Sequence, residues 1–212
     1  MPLSLDFPPL YLARQGIYSG AGLRQIVCVV KLPTFADKLG TATHESTLLQ
    51  KVRRLGFQTP EWLENIPVAR GCWHYRSPDF VSAPVVSELE FSNEELAVAL
   101  LSPSLPYSPH TIRIGAAMLG ATGNDVATLV RLATAEGCVA PVRYIAEAAL
   151  RYEPENPFWR QLLNLLPTSP PIKEGVMPHP TRFVSMAGMN RSGLRLTTVW
   201  IRPRPDLALV RG

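Results

Sequence analysis

Residues 124–152, NDVATLVRLATAEGCVAPVRYIAEAALRY, decide how this chain is read. Val126, Leu129, Leu132 and Ala133 recur at intervals of three and four, and so do Val142, Ile145, Ala149 and Tyr152. That period puts each set on one face of an α-helix. Only Gly137 to Ala140 separate the two segments, which is too short for anything but an antiparallel helical hairpin. Asn124 reads as the N-cap of a helix over Asp125–Glu136, and Pro141 suits the first turn of a helix over Pro141–Tyr152.

The same signals extend outward. Ser92 lies three residues before Glu95, a capping-box spacing at the head of a further helix. Pro109–Leu119 and Asn156–Leu166 complete the set, with Asn156 as N-cap and Pro157 in the first turn. Residues 92–166 are therefore expected to form a bundle of antiparallel hairpins. Its buried face should include Val142, Ile145, Leu129, Leu132, Leu162 and Leu165. A DNA-reading helix-turn-helix at Gly137 is disfavoured. Its docking positions fall on Arg143 and Ala146, and Pro141 occupies the helix start.

The first 91 residues read differently. Leu23–Leu32 (LRQIVCVVKL) is β-branched, short and closed by Pro33, and Ile26–Val30 is apolar on both faces like a strand covered on both sides. Helices are expected over Glu45–Leu55 and from Pro60 to Ile66, the second ended by Pro67. Val68–Tyr75 and Val85–Phe91 read as strands. After residue 166, PTSPPIKEGVMPHP is a proline-rich connector, followed by strands over Thr181–Ala187 and Leu194–Arg202 around a GMNRSG turn.

The expected fold class is α+β. Residues 1–91 form a mostly β part with short helices, 92–166 a helical bundle, and 167–212 the connector and a basic β-hairpin. The hairpin is expected to return to the N-terminal sheet and to be integrated with residues 1–91 or to stand beside them. With 46% hydrophobic and 18% charged residues the chain has enough apolar material for a core. Its 21 prolines call for short elements. No basic stretch leads into an apolar run at the N-terminus, and no apolar run reaches membrane-spanning length. A cytoplasmic setting without membrane contact is expected.

Charge is unevenly placed. Residues 1–60 carry 7 Lys+Arg and 3 Asp+Glu, residues 61–167 carry 7 and 12, and residues 168–212 carry 7 and 2. Two basic ends flank an acidic middle, a pattern suited to a polyanion or an acidic partner. In the last segment Arg182, Arg191, Arg195, Arg202 and Arg204 interleave with Phe183 and Trp200. Arginine forks grip phosphates and aromatics stack on bases. Lys51, Arg53 and Arg54 form a second basic cluster at a helix end, where they also complement the helix dipole. These eight residues are the candidate nucleic-acid contacts.

Other constellations are weaker. Glu88 and Glu90 share a strand face by period two and, with Asp79, offer a divalent-cation site for a metal-dependent nuclease or other hydrolase. Glu90 stands where such an enzyme wants lysine. Cys72 and His74 share a face in the same way, but two ligands do not make a zinc site. Gly16, Gly20 and Gly22 lack the Lys-Ser/Thr of a phosphate loop. Glu147 and Glu153 read as surface ion-pair partners of Arg143 and Arg151. No cofactor, metal or catalytic set is expected. The leading expectation is a non-catalytic nucleic-acid-binding or adaptor subunit of a larger assembly, with nucleic acid or another polyanion and partner proteins as its contacts. The hydrolase using Asp79, Glu88 and Glu90, and a protein–protein scaffold built on Trp62, Trp73 and Trp159, are the alternatives.

Overall fold

The computed structural model describes residues 32–43, 45–55, 60–76, 91–187 and 197–204. Eight α-helices and one two-stranded antiparallel sheet make up these residues, an α+β chain that is mostly helical. The helices are α1 (Phe35–Leu39), α2 (Thr47–Arg54), α3 (Pro60–Ala69), α4 (Asn93–Leu100), α5 (Pro109–Leu119), α6 (Val126–Ala135), α7 (Val139–Tyr152) and α8 (Pro157–Leu165). The strands are β1 (Val184–Ala187) and β2 (Thr197–Trp200), with Val184 opposite Trp200.

The central helix is α4. Leu96 to Leu101 are all essentially inaccessible, as in a helix that is apolar all round and surrounded by others. Its start is the expected capping box: the Ser92 hydroxyl accepts from Glu95 N, and the Glu95 carboxylate accepts from Ser92 N. Helix α5 lies along α4 with Gly115 at the contact, where a Cβ would come within 2.9 Å of the Leu101 side chain. Helices α6, α7 and α8 pack beside them, and one apolar cluster runs without a break from Phe35 to Ile201.

Several boundaries differ from the sequence expectation. Asp125, not Asn124, caps α6 by accepting from Thr128 N at 2.7 Å. The Asn124 amide instead donates to Met118 O and Leu119 O, both at 2.9 Å, and so closes the end of α5. Helix α7 begins at Val139, two residues before Pro141, so the proline sits within the first turn and Gly137 turns the chain at φ +67. Helix α3 passes through Pro67 and ends two residues later. Burial of Ile66, Val68 and Ala69 holds that last turn together against the missing N–H.

Val68–Tyr75 is not a strand. It is the end of α3, a turn at Gly71 and a 3₁₀ turn over Trp73–Tyr75. A short apolar run does not by itself separate a buried strand from a buried helix end. Wherever residues 32–76 are described they are helical or irregular but for one isolated antiparallel bridge from Thr34 to Pro106, so no strand forms among them. The strand expected over 23–32 lies outside the described residues but for Leu32, and that over 85–91 but for Phe91. In the C-terminal ribbon, Pro180–Arg182 forms a 3₁₀ turn ahead of β1, and the GMNRSG turn lies outside the described residues.

The ribbon is fixed to the helices by aromatic stacking. Trp200 lies 5.4 Å from Trp159 of α8 and 5.5 Å from Phe183, ring centre to ring centre, and all three are buried. Its indole N–H donates to Ala116 O at 3.3 Å. Gly120 makes room for it, since a Cβ there would lie 2.7 Å from the indole. Arg204 N donates to Gly71 O, and a side chain on Gly71 would collide with the Arg204 backbone.

Helix α2 is tied on by a buried acid. Ser46 accepts from Leu49 N, while Glu136, at the C-terminal end of α6, accepts from Thr47 N at 3.1 Å and Leu48 N at 3.2 Å. A carboxylate is well placed at the positive end of a helix.

Of the bundle residues expected inside, Val142, Ile145, Leu129, Leu132 and Leu162 are buried, and Leu165 is 52% exposed. Trp159, Leu162 and Leu166 carry the inward stripe of the α8 segment, and Leu165 falls beside it. Replacement Ile145→Ala leaves a cavity in the fully enclosed α7 face. It should lower unfolding stability by about 2–5 kcal/mol in urea titrations, without changing the far-ultraviolet circular dichroism of the folded state.

Candidate nucleic-acid interface

The eight cationic residues expected to meet phosphate occupy different environments. Lys51 reaches Glu95 with both carboxylate oxygens at 3.0 Å and lies 4.5 Å over the Phe91 ring. Arg53 and Arg54 are exposed in the last turn of α2. Arg191 and Arg195 lie outside the described residues. Arg204 is exposed beside the Gly71 contact. Arg182 and Arg202 both border clefts, with opposite uses of charge.

Arg202 points back into the molecule. Its Nε donates to Gly120 O at 2.8 Å, and its Nη2 forms an ion pair with Glu153. The same carboxylate oxygen accepts from Trp159 Nε1 and Asn156 Nδ2, each at 2.9 Å. Glu153, read from sequence as a surface ion-pair residue, thus holds the end of β2 against α8. Burial pushes its carboxyl pKa up. The hydrogen bonds from Arg202, Trp159 and Asn156, with the charge of Arg202, outweigh that and hold it below the usual carboxylate range. A cleft of about 340 Å³ opens beside this network, lined in part by Thr122, Asn124, Asn156, Phe158 and Arg202.

Arg182 faces a second cleft, of about 410 Å³, between the first turns of α5 and the Pro178–Arg182 segment. Pro109 and Arg113 form one wall, and Pro178, His179 and Arg182 the other. Among the described residues the exposed Arg182 side chain makes no hydrogen bond or ion pair. Arg113 contacts only its own surroundings: Nε donates to Pro109 O at 3.3 Å, Nη2 lies 3.4 Å from His110 Nδ1, and the guanidinium sits 5.8 Å from the Tyr75 ring. Tyr75 also meets His110 edge to face. Among the described residues no carboxylate lines the cleft. The acid beneath α5, Glu64, is engaged by the Thr111 hydroxyl.

Both walls are rigidly founded. Behind Arg113, Ile112, Ile114 and Ala116–Leu119 are core residues. The opposite wall is pinned by buried Val176, Met177, Pro180 and Phe183. Two phenols add to it: Tyr107 donates to Val176 O at 2.8 Å and Tyr144 to Pro178 O at 3.2 Å.

Arg113 and His179 were missed in the sequence reading. The available signal was local: Arg113 is the only charged residue in PHTIRIGAAML, on the face of His110 one turn earlier. Its meeting with residues 178–182 was not available, because it is made by folding.

The remaining constellations bring no chemistry together. Cys72 is fully buried and His74 exposed on the 3₁₀ turn, so they do not share a face. Burial pushes the Cys72 thiol up to about 12 and raises that of Cys138, with the Glu136 charge adding to the second effect. Neither thiol is a ready nucleophile. Among the described residues no three His, Cys, Asp or Glu side chains cluster as metal ligands, and no helix is long and apolar enough to cross a membrane. Asp79, Glu88 and Glu90, with Cys28 and His44, lie outside the described residues.

The Glu153 network sets an acid dependence. A carboxyl whose pKa is lowered by folding contributes stability above its unfolded value, and that contribution is lost as the pH falls through its folded value. Replacement Glu153→Gln should therefore cost about 1–3 kcal/mol near neutral pH. The gap to wild type should close on acidification below the usual carboxylate range, as read from urea midpoints at a series of pH values.

Models of known protein families, curated proteins and solved structures give no match to this chain, so the chemistry of its own clefts and charges is what bears on function.

Proposed function

We propose that the chain is a non-catalytic nucleic-acid-binding or adaptor subunit of a larger assembly. The observation that carries this reading is the Arg113–Arg182 cleft. Arg113 and Arg182 line one open space, and no carboxylate among the described residues lines it with them. Arg143, Arg160 and Arg202, by contrast, are paired with Glu147, Glu155 and Glu153. Arginine with no carboxylate beside it has its planar fork available for phosphate. The strongly basic final 45 residues add a long-range attraction for a polyanion.

The finer architecture belongs to the same proposal. The basic ribbon, with Arg191 and Arg195 near its turn, would present a single positive face with the N-terminal segment and its Arg53 and Arg54. The acidic helical part would then turn its own charge toward partner proteins.

Binding of this kind is dominated by phosphate contacts and is steeply salt-dependent. Fluorescence anisotropy with labelled single- and double-stranded oligonucleotides should show affinity falling linearly with the logarithm of salt concentration. Absence of oligonucleotide binding at low salt would remove the nucleic-acid reading for this chain and leave an acidic protein as the partner to seek.

A further inference from the structure

The cleft does not stand alone. Tyr107 lies two residues before Pro109 of the cleft wall, a span of at most about 7 Å. The Lys38 ammonium sits 5.5 Å above the Tyr107 ring, and the Tyr107 hydroxyl is fixed on Val176 O. Lys173, at the start of the segment that becomes the second wall, lies against the end of α1, with its Nζ 4.0 Å from where a Gly40 Cβ would be. Three acids lie near this strip and are engaged or exposed on their own account. Asp37 is held in the capping box on Thr34, Glu64 bonds Thr111, and Glu174 is an exposed side chain in the following turn. The cationic side chains thus run from Lys38 and Lys173, over Tyr107, to Arg113 and Arg182.

We infer that the cleft between α5 and Pro178–Arg182 is the anchoring phosphate site of a nucleic-acid strand whose backbone continues over Tyr107 to Lys38. This rests on the nucleic-acid reading above and adds where the strand lies. The cleft, at about 410 Å³, is within the size range of small-ligand sites and admits a phosphate with its sugar. Arg113 and Arg182 supply charge from opposite walls, and both walls are held by core residues, so their backbone needs little ordering on binding. Lys38, over the Tyr107 ring, offers the next cation along the path. Every contact in this path is to backbone charge, so recognition at this site is independent of base sequence.

The test uses the full chain, a fluorescein-labelled single-stranded oligonucleotide of mixed sequence, and salt titrations followed by anisotropy. Arg182→Ala, Lys38→Ala and Arg113→Lys are compared singly, Arg182→Ala and Lys38→Ala also together, with Arg160→Ala as a control on α8. Arg182→Ala and Lys38→Ala should each reduce the salt slope by about 0.7, and the double variant by about 1.4, as expected for lost single-strand contacts. Arg113→Lys should weaken binding while keeping the slope, because charge is retained and the fork is lost. Inorganic phosphate should compete with the oligonucleotide for wild type and less for Arg182→Ala. Arg182 bonds to nothing else, so its variant should keep the wild-type thermal midpoint and decides the matter if another variant is destabilised. If wild type binds with a steep slope and the double variant keeps that slope, the strand lies elsewhere, and the path is overturned while the nucleic-acid reading stands. If wild type binds polyglutamate or heparin but no oligonucleotide, both fail together.

Discussion

Trp200 can lie across the end of α5 because residue 120 carries no side chain, and much of the structure depends on that contact. The indole is the meeting point of three parts of the chain. It stacks on Trp159 from α8, on Phe183 from the start of the ribbon, and bonds the backbone of α5 at Ala116. A large aromatic buried in this way removes more apolar surface from water than any other residue type, and edge-on neighbours add to it. Arg202, two residues later, then reaches Gly120 O and Glu153 without leaving its own end of β2. The polar network is thus placed by the aromatic one. With the ribbon fixed there, Phe183 and Pro180 are fixed too, and they set the wall that carries His179 and Arg182.

The same anchoring explains why two arginines twenty residues apart do opposite things. Arg202 follows a strand whose end is pressed onto the helices, so its guanidinium meets α8 and a carboxylate. Arg182 sits in a 3₁₀ turn on the open side of Phe183, so its guanidinium meets solvent and the cleft. Composition counts both as positive charge. Only one of them contributes to the field that an approaching anion would meet. Lys51 is withdrawn in the same manner by Glu95 and Phe91. The basic surface is therefore smaller and more localised than the residue count implies.

Features set by local chemistry could be read from the residues directly. Ser92 with Glu95, and Asn156 with Pro157, mark helix starts because the capping bonds span only two or three positions. The choice between Asn124 and Asp125 was not legible, since either side chain can cap. The outcome turned on which one the exposed carbonyls of Met118 and Leu119 claimed. The run 68–75 was misread because its apolar residues serve a helix end and a 3₁₀ turn, and tertiary burial overrides local preference there. The candidate site was legible in part. Arg182 stands out in a basic segment, but its partners in the cleft come from a helix about seventy residues earlier. The Glu153–Arg202 pair spans 49 positions and has no local signature.

The tie between Gly71 and Arg204 has a consequence for how this molecule comes into being. Residues 71 and 204 are joined through their backbones, and the indole at 200 fills space between helices made much earlier. Contacts so distant along the chain carry a high closure entropy and form late. As the polypeptide leaves the ribosome, its helices can assemble in order, yet they will hold an unfilled aromatic slot until β2 emerges. The nascent helical part is therefore exposed to aggregation for longest, and it is the arrival of the C-terminal ribbon that ends that exposure.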